Sequence, residues 1–390
     1  MTLDSSLMPT YSPAPVTFVS GRGTELWDDQ GKRYLDFLSG LAVCSLGHSH
    51  PAVAEALCRQ AGTLLHVSNL YSNAVAPQLA RRLDRLVGDG QPAGGKVFFA
   101  NSGAEANECA IKLARRWAGP GRHVVISAYG SFHGRTLATL HATGQPSKHE
   151  AFQPLPEGFR HVAWAEPAAL EEAIDPSVAA VLLEPIQGEG GINPAPRGYL
   201  AAVRRICDER GALLIMDEVQ TGLGRTGRWF GFQHDGVTPD VVTMAKALGN
   251  GVPIGACWAR AEVADAFRPS DHATTFGGQP LAASAALATL EVMEAEGVCG
   301  RAEERGRTLS DGLSRLSGVK EVRGRGLLLA AVLEAAVSAD VAAAALRRGL
   351  VVNAVAPDAL RLAPPLLVTD EEIAEAIALL SDALDEVGRG

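Results

Sequence analysis

Between about Lys96 and Gly255, short apolar or β-branched runs alternate with helical patterns, and each run ends in a turn carrying polar residues. The runs are Lys96 to Phe99, His123 to Ser127, Ala179 to Leu183, Ala212 to Met216, Val241 to Met244 and Ile254 to Trp258. Near-continuous apolar strands interleaved with helices predict an α/β architecture whose mostly parallel sheet is covered on both faces. In such sheets ligands bind beyond the carboxyl ends of the strands. The segments NSGAE, FHGRT, EPIQGEGG and DEVQ and the side chain of Lys246 each follow one of these runs, so the chemistry is expected there.

The flanks carry a different rhythm. Gly23 to Phe37 reads as a hairpin turning at Asp29 to Gly31. Toward the C-terminus helical patterns cover Leu281 to Glu296 and Arg301 to Leu316, strands cover Val319 to Val322 and Gly326 to Val332, and a last helix covers Asp370 to Val387. This predicts a large domain over 51–280 and a smaller α+β domain assembled from 1–50 and 281–390, with no internal repeat.

Composition narrows the class. A chain of 390 residues is long for one core, which agrees with two domains. No apolar run reaches the ~20 residues of a bilayer span, and the Ala-rich stretch from Pro280 to Leu290 reads as a buried helix. The start, MTLDSSLMPTYSPAP, lacks a basic-then-apolar pattern, so a cytoplasmic location is expected. A net charge of −9 with interspersed signs argues against a nucleic-acid surface. The six cysteines (Cys44, Cys58, Cys109, Cys207, Cys257, Cys299) show no CxxC pair or zinc-ligand spacing and are expected as buried thiols, with no metal site.

Three places suggest chemistry. Ser102-Gly103-Ala104 opens a helix whose free amides suit a phosphate, although an ordinary N-cap would look the same. Asp217 and Glu218 end a central strand and call for a cation: a metal, an ion pair or a protonated heterocyclic nitrogen. Lys246 enters at another strand end among glycines, where desolvation favours the neutral amine and nucleophilic attack on carbonyls. Two other signals are set aside. Gly222-Leu223-Gly224-Arg225-Thr226-Gly227 fits G-x-G-x-x-G, yet no helical pattern follows it, as a nicotinamide-binding fold requires. His133 has no nucleophile elbow to make a hydrolase triad.

Taken in order, NSGAEANE, FHGRT, EPIQGEGG, DEVQTGLGRTG, MAKALGNG and TTFGG resemble the class III (ornithine-type) pyridoxal 5'-phosphate (PLP) aminotransferases from about Pro9 to Gly388. LGHSHP, HVSNLY and RLAPPL extend the likeness to the bacterial members that act on acetylornithine. The resemblance implies PLP fold type I, with a seven-stranded mostly parallel sheet, and a homodimer with shared active sites. It implies a Schiff base between Lys246 and PLP, with Asp217 holding the pyridine nitrogen protonated. Ser102, Gly103, Ala104 and the partner chain's Thr275 would take the phosphate. Phe132 and Val219 would flank the ring, and Gln220 would bond near its phenolic oxygen. Arg135, Thr274 and Arg361 would bind substrate carboxylates, with Glu189 masking Arg361 in one half-reaction, or forming a fixed ion pair with it; Tyr11 would point towards substrate.

The implied reaction moves the terminal amine of N-acetylornithine to 2-oxoglutarate. Departures are small: Phe276 and Gln279 stand where the family often has an aromatic and an Asn in TYGGNP. Sister enzymes acting on ornithine, succinylornithine, 4-aminobutyrate or carrier-bound lysine are the nearest rivals. A non-catalytic scaffold and a nicotinamide-dependent dehydrogenase are more distant ones.

Overall fold

The computed structural model describes residues 6–389; residues 1–5, the beginning of the N-terminal stretch read above, and Gly390 lie outside it. At its centre seven strands form one sheet: β1 (Gly95–Ala100), β2 (Val124–Ala128), β3 (Phe159–Val162), β4 (Val178–Leu183), β5 (Leu213–Asp217), β6 (Val241–Met244) and β7 (Gly255–Arg260). Their spatial order is β1-β7-β6-β5-β4-β2-β3. All neighbours are parallel except β7, which runs antiparallel to both β6 and β1. The six expected strands are present within two residues of their expected ends. The inner strands β2, β4, β5 and β6 are buried at every position, which is why they carry unbroken apolar runs rather than alternation.

Around this sheet the chain ends meet. The strands Phe18–Arg22, Glu25–Asp28 and Arg33–Asp36 form the expected hairpin and its extension, and Leu350–Val351 joins the last of them in parallel. A second four-stranded antiparallel sheet is wholly C-terminal, in the order Val319–Arg325, Leu328–Leu333, Ala359–Leu362, Asn353–Ala356. Among the described residues no helix is long and apolar enough to cross a membrane. Pro280–Ala295, the Ala-rich helix, is buried along most of its length. The cysteine expectation needs correction: Cys109, Cys207 and Cys257 are buried, but Cys44 and Cys299 are only partly so and Cys58 is exposed. Cys58 lies on an amphipathic surface helix, Pro51–Ala61, outside the core stripe of Val53 and Ala56.

Candidate active site

The carboxyl ends of β5 and β6 lie side by side, with Asp217 opposite Thr243 in register. The side chains that follow them line a single cavity of about 380 Å³ together with the start of helix α1 (Gly103–Ala118) and the loop after β2. Ser102, Gly103, Ala104, Phe132, Arg135, Glu189, Asp217, Val219, Gln220 and Lys246 all face it. Ten of the residues singled out in the sequence are therefore brought together.

Helix α1 begins where it does because Ser102 is extended and its hydroxyl accepts from the Glu105 amide at 3.2 Å. The N-cap reading is thus correct, and it leaves the amides of Gly103 and Ala104 free at the positive end of a 16-residue helix. Close approach is built in. A Cβ on Gly255 would fall 2.3 Å from the Ser102 carbonyl oxygen, and one on Gly103 would fall 2.8 Å from Cγ1 of Val219. Both positions need glycine for space.

The two carboxylates after β5 part company. Glu218 turns away from the cavity and accepts from the Thr221 hydroxyl and from the amides of Gly231 and Phe232, each at 2.9 Å or less. Burial pushes its carboxyl up to about 7. Asp217 faces the cavity. Its Oδ2 accepts from Asn107 Nδ2 at 2.8 Å and pairs with His133 Nδ1 at 2.8 Å, while Oδ1 accepts from the Val219 amide at 3.1 Å. A carboxylate gripped on both oxygens and still open to the cavity is set to meet a cation there.

Lys246 follows β6 by two residues in the left-handed region, with φ of 42°. A non-glycine residue held there is strained, and such strain gathers at functional positions. The amine is buried, and burial lowers its pKa; Glu189 and Asp217 oppose that shift and Arg361 adds to it. A nearby carbonyl would meet an amine poised to attack.

Arg361, on the strand Ala359–Leu362 and 1% exposed, does not line the cavity itself but stands behind two residues that do, Glu189 and Gln220. Its Nη1 donates to Glu189 and, at 3.2 Å, to Gln220 Oε1, and Nη2 donates to Asn353 Oδ1 at 2.8 Å. Beside Arg361 the Glu189 carboxyl is held below its usual range against the upward push of burial. Arg135 is exposed at the mouth, 5.5 Å above the Phe132 ring, with no acidic partner among the described residues.

Four expected residues do not line the cavity: Arg361, behind Glu189 and Gln220, and three that lie elsewhere. Tyr11 is 83% exposed and does not reach the cavity. Thr274 and Thr275 line a separate surface hollow with Ser68, Asn69 and Leu70. Conversely, Asn107, His133 and Glu184 belong to the site and were not read from the sequence. His133 was judged only as a triad member, although the buried carboxylate of Asp217 required partners. Glu184 binds the amides of Phe132 and Gly188, both at 3.1 Å, so it ties together the loops carrying Phe132 and Glu189. The glycine-rich Gly222–Gly227 segment is a tight turn with no helix opening at Gly227; a short 3-10 helix follows at Gly231–Asp235, where no helical pattern was expected.

The chain matches the family Aminotransferase class-III over residues 7–384. It belongs to that family. It is 49% identical to an acetylornithine aminotransferase of Caldanaerobacter subterraneus subsp. tengcongensis over 389 residues, 98% of each chain. It is also 49% identical to that of Mycobacterium tuberculosis over 381 residues, 97% of this chain and 94% of the relative. Among solved structures, N-acetylornithine aminotransferase from Stenotrophomonas maltophilia aligns with a TM-score of 0.84 at 39% identity, over 96% of this chain and 97% of that one. The ornithine aminotransferase of Toxoplasma gondii aligns with a TM-score of 0.93 at 37% identity, over 98% and 93%.

Enzymes of this family depend on PLP, and the cavity suits it. A phosphate would meet the amides that open helix α1, a pyridinium would meet Asp217, and an aldehyde would meet the amine of Lys246. All three line one cavity walled by Phe132 and Val219.

Proposed function

We propose that the chain transfers the terminal amino group of N-acetylornithine to 2-oxoglutarate, yielding N-acetylglutamate semialdehyde and glutamate, a step of arginine biosynthesis. The observation that carries the chemistry is Lys246: a strained, buried amine with a lowered pKa, sharing a cavity with a fully gripped carboxylate. The substrate assignment rests on the acetylornithine aminotransferases to which the chain is 49% identical.

When bound, PLP supplies an aldehyde that captures amines and a protonated ring that delocalises the electrons left when a proton departs. The protein's part follows from its own side chains. Lys246 would anchor the cofactor through its amine, and as a free amine it would accept the proton from the amino-bearing carbon and hand it back to the cofactor. Asp217, oriented by Asn107 and His133, keeps the ring nitrogen protonated. Ser102, Gly103 and Ala104 would hold the phosphate, Phe132 and Val219 would flank the ring, and Gln220 would bond near its phenolic oxygen. Arg135, exposed at the mouth and free of acidic partners, clamps a substrate carboxylate bidentately. Arg361 binds the second carboxylate of 2-oxoglutarate after Glu189 swings away, and is masked by Glu189 while N-acetylornithine reacts.

The working unit of this reading is a homodimer. Leu70, Tyr71 and Phe276 are 87%, 71% and 58% exposed, and they cluster beside the hollow that holds Thr274 and Thr275. Such a patch favours a partner copy, which would receive Thr275 at its phosphate and Thr274 near its substrate.

The test is a comparison of half-reactions with N-acetylornithine, ornithine and 4-aminobutyrate, followed through the cofactor's absorbance. N-acetylornithine is expected to react fastest, and borohydride is expected to fix the cofactor on Lys246. Faster reaction with ornithine or 4-aminobutyrate would overturn the substrate; protein that takes up no PLP would overturn the whole assignment.

A further inference from the structure

Arg225 has no part in the chemistry above, yet its side chain is 1% exposed. No carboxylate neutralises it among the described residues. Nη1 donates to the carbonyls of Leu327 at 3.2 Å and Pro364 at 2.5 Å, Nη2 donates to Ser45 Oγ at 2.9 Å, and Nε is buried without a partner. The Arg225 carbonyl in turn accepts from the Leu327 amide at 3.0 Å. Burial with only neutral acceptors pulls its pKa down, which marks the placement as unfavourable for the ion itself.

Its acceptors explain what that placement achieves. Ser45 belongs to the N-terminal part, while Leu327 and Pro364 belong to the C-terminal sheet. Leu327 directly precedes the strand Leu328–Leu333, and Pro364 follows the strand Ala359–Leu362 by two residues. These strands pair antiparallel, with Leu329 opposite Leu362 and Ala330 opposite Arg361, so Leu327 and Pro364 flank the same end of the pair. Arg225 therefore pins the end of the strand pair that presents Arg361. It does so from the same turn as Gln220, whose Oε1 takes the Arg361 Nη1 hydrogen bond. The contact is tight: a Cβ on Gly326 would lie 2.6 Å from the Thr226 carbonyl carbon.

We propose that Arg225 is a positioning residue that sets the register of Arg361 against Gln220 and Glu189, and so governs use of the dicarboxylic oxo acid. The proposal rests on the reading of Arg361 as the second carboxylate site. A lysine cannot substitute, because one ammonium cannot span three acceptors that a planar guanidinium fork reaches together.

The experiment compares Arg225→Lys and Arg361→Gln holoenzymes in the two half-reactions, measured separately by cofactor absorbance. In Arg225→Lys the apparent affinity for 2-oxoglutarate should fall roughly tenfold or more, while the N-acetylornithine half-reaction stays within about threefold. A role in folding alone would lower both equally, and that result overturns the proposal. So does an unchanged oxo-acid half-reaction in Arg225→Lys alongside a loss in Arg361→Gln. If Arg361→Gln itself leaves 2-oxoglutarate unaffected, the reading of Arg361 fails and the proposal falls with it. Should Arg225→Lys not fold, Ser45→Ala removes one acceptor and keeps the charge. It should weaken 2-oxoglutarate use roughly threefold without touching the amine half-reaction, and no change there is disproof.

Discussion

Asn107 is a buried amide, 1% exposed, in the second turn of α1, and all three of its strong hydrogen bonds go to the site's support. Nδ2 donates to Asp217 Oδ2 and to the His133 carbonyl, both at 2.8 Å, and Oδ1 accepts from the Thr243 hydroxyl at 2.7 Å. Asn107→Leu keeps the volume and removes all three. The bond to a charged acceptor contributes about 1.5–3 kcal/mol, and a buried carbonyl left alone costs about 1–3 kcal/mol. The Thr243 hydroxyl can rotate, so its share is smaller. Together the loss should be about 3–5 kcal/mol in the cofactor-free protein.

Asp217 retains His133 Nδ1 and the Val219 amide, so it is loosened rather than released, and PLP affinity should fall by roughly tenfold. Asn107→Asp is the sharper probe. It sets a second carboxylate at hydrogen-bond distance from Asp217, where both cannot stay ionised without strong repulsion. A pyridinium beside them favours the doubly ionised pair, so PLP affinity relative to the parent protein should rise as pH rises. Urea unfolding with and without PLP, at fixed protein concentration, together with PLP titration across pH, measures both effects. An Asn107→Leu protein within about 1 kcal/mol of the parent, with unchanged PLP affinity, would refute the idea that this network orients Asp217.

Two further perturbations probe different parts of the site. Gly103→Ala brings a methyl within 2.8–2.9 Å of both Val219 γ-carbons, so Val219 must move into the cavity or the helix start must retreat; overpacking of about 1–3 kcal/mol should appear as a roughly 10- to 100-fold loss of PLP affinity, and a titration within twofold of the parent would contradict it. His48 lies 2.7 Å from Asp36, whose other oxygen binds the amides of Leu38 and Ser39; chiefly through Asp36, its pKa is raised from 6.5 to about 9. Because the folded state favours the imidazolium, this stabilisation is complete below pH 6.5 and is lost as pH rises through about 9. It amounts to at most about 3 kcal/mol, so the stability gap between the parent and His48→Gln should shrink markedly between pH 6 and 9.5, and a constant gap in urea titrations would exclude the pair's role.

The inner sheet was legible because each of its strands is buried on both faces and so spells an uninterrupted apolar run. The edge strand β3 was missed for the complementary reason: Arg160 and His161 sit in it, half-buried, with Arg160 reaching the Ala173 carbonyl and Ser177. Asn353–Ala356 was missed because it ends its sheet and is only half-buried, and Ala359–Leu362 because Arg361 interrupts its apolar run. The turn from Ser39 to Ala42 gave no sign at all. Its four residues take φ of 51°, 60°, 68° and 62°, and only one is glycine. Left-handed backbone costs roughly 1–2 kcal/mol per non-glycine residue, so tertiary contacts must impose it. Asp36, paired with His48, and Asn250, bonded to the Leu46 amide at 2.8 Å, supply them from 3 to about 200 residues away. The turn delivers Val43 to the cavity wall.

The DEVQTGLGRTG segment shows where local reading stops. From the sequence, Asp217 and Glu218 were one problem: two carboxylates needing a cation. In the structure only Asp217 awaits one; Glu218 closes the turn on itself through Thr221, Gly231 and Phe232, and at about 7 its carboxyl is easily protonated. The glycines that mimicked a nucleotide loop serve that turn, and the arginine among them crosses to Ser45, Leu327 and Pro364. One segment thus orients the carboxylate that faces the cavity, presents Gln220 to Arg361, and fastens the sheet that carries Arg361. If Asp217 and Arg361 are fixed relative to each other through this segment, then Arg225→Lys, which removes no side chain from the cavity but shifts Arg361 behind it, must alter the oxo-acid half-reaction and spare the cofactor's absorbance; no local pattern of residues predicts that coupling, because it runs through contacts more than 100 positions apart.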